Sequence, residues 1–98
     1  MKIPKTLKIG NLTYKVEFMS AELSDAKAVF GDSSVLDQRI RIGNGSSKEK
    51  QEDTFVHEIV HSVLTQAGYF EESKNEVMVK ALANGLYQVL RDNDLLKK

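Results

Sequence analysis

In this chain of 98 residues, 14 basic and 14 acidic side chains cancel, so neither nucleic acid nor an anionic membrane is expected as a partner. The absence of cysteine excludes disulfides, thiolate metal sites and a cysteine nucleophile. No apolar run approaches the ~20 residues that span a bilayer and the start carries no signal-like apolar segment, so one small domain over residues 1–98, in a reducing cytoplasm, is the expectation.

The first half reads as strands. In "TLKIGNLTYKVEF" the apolar residues Leu7, Ile9, Leu12, Tyr14, Val16 and Phe18 alternate with polar ones, and Gly10-Asn11 suits a two-residue hairpin turn. Lys2, Lys5, Lys8 and Lys15 read as solvated strand edges. "SAELSDAK" is either a loop or one helical turn. "AVF" can begin a third strand, interrupted by Gly31, Asp32, Ser33 and Ser34. "QRIRI" sets Ile40 and Ile42 against Arg39 and Arg41.

The second half has helical spacing. Ser46 with Glu49 forms a capping box that opens a helix running to Gly68, with Val56, Ile59, Val60, Val63 and Ala67 as its core face. A second helix runs from near Ser73 to about Asp92, with Met78, Leu82, Leu86, Val89 and Leu90 as its buried stripe. The order strands-then-helices predicts an α+β fold, a small antiparallel sheet of a hairpin plus one or two further strands packed on two helices.

The first helix carries both histidines in "HEIVH", with His57 and His61 one turn apart on the same side. Two imidazoles at that spacing reach one metal ion. Glu58 is rotated by about 100° from His57, so it does not coordinate beside them but can lean over a water at the open position. The alternative is a surface helix with two solvated histidines. A catalytic zinc site takes three protein ligands, and here the third must be Asp or Glu. The motif helix continues for ~9 Å past His61, and a returning helix that starts near Ser73 brings Glu76 within side-chain reach. Asp92 is about 24 Å further along. Glu71 and Glu72 belong to the connection, Glu72 remaining the second choice. Glu76 also has two structural readings, a capping box with Ser73 and an i, i+4 pair with Lys80.

"HEIVH" followed by a glutamate on the next helix resembles the gluzincin metallopeptidases, and the small size resembles the single-domain minigluzincins. The hairpin opening and "ALANGLYQVL" are similar to small metallopeptidase-like proteins of phages and prophages, loosely akin to the ImmA/IrrE peptidases, over residues 28–93. The resemblance implies a zincin-like fold with Zn2+ on His57, His61 and Glu76, and Glu58 as general base. It implies an endopeptidase whose peptide or protein substrate pairs with a strand along the cleft, the stretch Arg39 to Ile42 being the candidate. An acidic residue one turn after the third ligand in larger members is here Lys80. Tyr69 is the candidate stabiliser of the oxyanion, with Tyr87 about 16 Å along the helix axis from Glu76. The competing reading is a non-catalytic zincin-like module that binds metal or a peptide partner, or a latent enzyme whose tail "RDNDLLKK" occupies the cleft.

Overall fold

A four-stranded sheet carries one face of the protein's core and two long helices complete it. The computed structural model describes residues 1–27, 29–93 and 95. In chain order the elements are β1 (Thr6–Ile9), β2 (Leu12–Met19), α1 (Ala21–Lys27), β3 (Gly31–Ser34), β4 (Arg39–Gly43), α2 (Lys48–Gln66), α3 (Phe70–Lys74) and α4 (Glu76–Asp92). No helix among the described residues is long and apolar enough to cross a membrane.

The hairpin forms where alternation and turn chemistry place it. Ile9 pairs with Leu12 and Leu7 with Tyr14, with Gly10 at φ 60° in the turn. Gln66, at the end of α2, holds this turn down: its amide donates to the Ile9 carbonyl at 2.9 Å and to the Tyr14 hydroxyl at 2.9 Å.

The sheet is mixed rather than antiparallel. Its order is β1-β2-β4-β3, with β4 parallel to β2 and antiparallel to β3. Alternation marks a strand but carries no direction; the path through α1 and the β3–β4 hairpin sets it. The third strand lies on Gly31–Ser34 itself, the polar stretch expected to interrupt it. Pairing with β4 overrides the poor strand propensity of that stretch. On β4, Ile40 and Ile42 are fully buried, and with Ile9, Tyr14, Val16 and Phe55 they make the core between sheet and α2. Phe18 is half-exposed, and Met19 takes the buried position instead.

Helix α2 starts one residue later than the capping box places it. Ser47 is the cap and accepts from the Lys50 amide at 3.1 Å, while the Ser46 hydroxyl donates to the Gly43 carbonyl. The helix ends in a Schellman turn at Gly68 (φ 88°), with the Tyr69 amide donating to the Leu64 carbonyl and that of Gly68 to Thr65. Phe55 and Ile59 face the sheet, whereas Val56 and Val60 face α4. Val63 and Ala67 are exposed.

Among the described residues there are four helices, not two. The short α3 occupies what reads as a connection, and α4 is capped by Asn75, whose side chain accepts from the Met78 amide at 3.1 Å. The buried face of α4 is Val79, Ala83 and Tyr87, while Leu82, Leu86 and Val89 are exposed. Small Ala83 lets α4 lie close to Val56 of α2, and the Tyr87 hydroxyl donates to the buried Glu52 carboxylate at 2.6 Å. These two fits select the face in place of the bulkier stripe beside it. Tyr87→Phe leaves Glu52 without that donor and is expected to lower unfolding free energy by about 1–3 kcal/mol. Urea denaturation reads the change, and an unmoved midpoint would show that this bond adds nothing.

Candidate metal centre

The two histidines and Glu76 converge. On α2, His57 Nε2 and His61 Nε2 lie 3.1 Å apart. The Schellman turn and α3 reverse the chain, so that Glu76, the first residue of α4, points back at them. Its carboxylate lies 2.7 Å from His61 Nε2 and 3.2 Å from His57 Nε2. The first turn of a helix also favours a carboxylate, because the unpaired amides there carry partial positive charge.

These separations can be tested against a metal. Zinc–nitrogen and zinc–oxygen bonds of about 2.0–2.2 Å at tetrahedral angles place neighbouring ligand atoms about 3.3 Å apart. Distances of 3.1 and 3.2 Å are close to that, and the 2.7 Å between His61 Nε2 and Glu76 must open by about 0.6 Å, a small rotation of an exposed carboxylate. Two neutral imidazoles and one carboxylate are also a donor set suited to zinc with an open fourth position. The cluster therefore fits the ion. Its carboxylate side is open, since the Glu76 side chain is 66% exposed.

Glu58 does not join the cluster. It lies on the face of α2 that carries Thr54 and Ser62 one turn away on either side, and all three are buried. Burial pushes its carboxyl above the ordinary carboxylate value; a hydrogen bond with the Ser33 side chain and the two nearby imidazoles pull the other way, and Asp32 adds to the rise. Ser62 Oγ, buried on the same face, has no hydrogen-bond partner among the described residues.

A cleft of about 640 Å³ spans these groups, bounded by β3, α2 and the start of α4. The strand along it is β3, at the sheet edge, and not Arg39 to Ile42, which is paired on both sides by β2 and β3. At Gly31 the edge strand comes close to the helix: a Cβ there would lie 2.5 Å from Thr54 Cγ2 and 2.7 Å from the Arg41 carbonyl. Asp32 is held by Arg41 Nε at 2.9 Å, so the rim is braced by an ion pair.

Other expected roles fall elsewhere. Tyr69 is exposed and does not line the cleft, and Tyr87 is buried against Glu52, so neither faces the histidines. Glu72 is exposed on α3, outside the cluster. Lys80 lines the cleft without a carboxylate within 4.0 Å among the described residues, so the i, i+4 pair with Glu76 does not form. Ser73 is not a cap: its hydroxyl lies 3.2 Å from His61 Nδ1 and 3.0 Å from Thr65 Oγ1. Thr65 follows His61 by one helical turn, which is the sequence signal that marks it as a neighbour. Half of the tail lies outside the described residues (94 and 96–98), while Arg91 is 3.8 Å from Glu49 at the start of α2. No protein-family model matches the chain, and no curated protein or solved structure matches it either.

Proposed function

We propose that the chain is a zinc-dependent endopeptidase of zincin type, similar to the gluzincins, with His57, His61 and Glu76 as ligands and Glu58 as base. The observation that supports this best is the meeting of two imidazole nitrogens and a carboxylate beside a buried carboxylate, in a cleft that follows a sheet edge. A zinc ion held there supplies Lewis acidity, making a water acidic and a scissile carbonyl electrophilic. Glu58 takes the proton from the attacking water and passes it to the leaving amine. It lines the cleft next to a ligand residue and lies outside the cluster, which leaves its carboxylate for the water. β3 lies at the edge of the sheet, and an extended peptide laid along it would join the sheet as a fifth strand and bring its scissile bond over Glu58.

The test is zinc titration of the purified chain, followed by digestion of a mixed peptide library. Stoichiometric zinc and zinc-dependent cleavage within peptides are expected. Zinc bound without cleavage of any peptide would favour the non-catalytic module, and no zinc bound would remove the peptidase and leave only a module that holds a peptide without metal.

A further inference from the structure

His57 and His61 present the same atom to the site but are held differently. His61 Nδ1 lies 3.2 Å from Ser73 Oγ. Thr65 Oγ1 lies 3.0 Å from that oxygen, and the same hydroxyl is 3.3 Å from the His61 carbonyl. His57 Nδ1 has no such partner among the described residues.

A serine hydroxyl has one proton and two lone pairs, and a backbone carbonyl can only accept. If Ser73 donates to the His61 carbonyl, both lone pairs remain for donors, and Thr65 O–H and His61 Nδ1–H fill them. All three contacts are satisfied at once only when His61 carries its proton on Nδ1. Were Ser73 to donate to Nδ1 instead, its approach to the carbonyl would set two acceptors against each other. Thr65 is itself explained by this arrangement. A helical threonine commonly turns its hydroxyl to the carbonyl four residues back, here that of His61; Ser73 occupies that carbonyl and gives the hydroxyl another partner.

We infer that Ser73, steadied by Thr65, is the positioning residue of this centre: it fixes the His61 ring through a hydrogen bond at Nδ1–H, so that a cation entering between Nε2 and the Glu76 carboxylate, 2.7 Å away, meets a ring already oriented. This rests on reading His57, His61 and Glu76 as a cation site. The short helix α3 acquires a purpose in the same step, since it brings Ser73 back over α2. His57, without such a partner at Nδ1, is the ligand whose ring is held less firmly. Outer hydrogen bonds of this kind set ring orientation and ligand basicity.

Two measurements test the inference, both with zinc alone and neither with a substrate. In proton NMR of the zinc-loaded chain the His61 Nδ1–H is expected as a slowly exchanging resonance, and that of His57 as one that exchanges faster with water. A His61 Nδ1–H that exchanges as fast as that of His57 would overturn the assignment. Competition with a chromophoric chelator is expected to show Ser73→Ala binding Zn2+ about 10–100-fold more weakly than the parent, with Ser73→Thr restoring most of the affinity. Alanine is the better helix former, so this loss does not follow from unwinding α3. Unchanged affinity in Ser73→Ala would overturn the role, and if that variant fails to fold the proton exchange in the parent chain decides. The peptidase reading fails separately. A parent chain that binds zinc with a slowly exchanging His61 Nδ1–H yet cuts nothing keeps the Ser73 role and loses the enzyme. A parent that binds no zinc loses both.

Discussion

Glu58→Gln is expected to bind zinc within about tenfold of the parent and to cleave peptides about 10²–10⁴-fold more slowly. Glutamine keeps the shape of the side chain and its hydrogen bond to Ser33, but it cannot accept the proton of the attacking water. Zinc should stay, because Glu58 lies outside the cluster formed by His57, His61 and Glu76. The metal-free variant should also be more stable than the parent. The raised pKa of Glu58 means that its ionisation costs the folded state. That cost is absent below the ordinary carboxyl pKa and grows as pH rises through the shifted one, so removing the charge helps most near neutral pH. Chelator competition, a quenched-peptide assay and thermal melting read the three effects. Cleavage at the parent rate would remove Glu58 from the role of base.

Glu76→Ala is expected to lose at least about 100-fold in zinc affinity, beyond most losses caused by changes outside the ligand set. A ligand bound only by the folded chain stabilises it in proportion to the logarithm of its affinity, so 100-fold is about 2.7 kcal/mol of zinc-dependent stabilisation. In a domain of this size that is a melting shift of roughly 10–20 °C. Glu72→Ala, exposed on α3, is the matched control and should respond to zinc as the parent does. If Glu76→Ala kept the full zinc response, the third ligand would lie elsewhere and the mechanism would need rebuilding.

The site was more legible than the scaffold that holds it. Spacing alone puts His57 and His61 on one side of a helix, and the length of the reversal limits the third ligand to Glu76 or Glu72. Ser73 was misread because capping a helix and holding an imidazole draw on the same property, a short side chain with a hydroxyl. The strand at Gly31–Ser34 could not be read, because nothing in "GDSS" favours extension until β4 lies beside it. The direction of β4 was hidden for a different reason: Ile40 and Ile42 would face the core whichever way the strand ran. On α4 two apolar stripes lie about 100° apart, and periodicity does not rank them. Ala83 and Tyr87 prevail through fit to Val56 and Glu52, which are distant in sequence.

The approach of backbone to helix at Gly31 would set how deep a peptide bound in the proposed way can sit. Because no side chain stands there, β3 settles against Thr54, and whatever is laid along that strand is carried down with it. A methyl group at this point would act as a spacer, lifting the rim outward and drawing the bound backbone away from the carboxylate below. On the proposed mechanism, the geometry of proton transfer would thus be governed from a position that has no chemistry of its own.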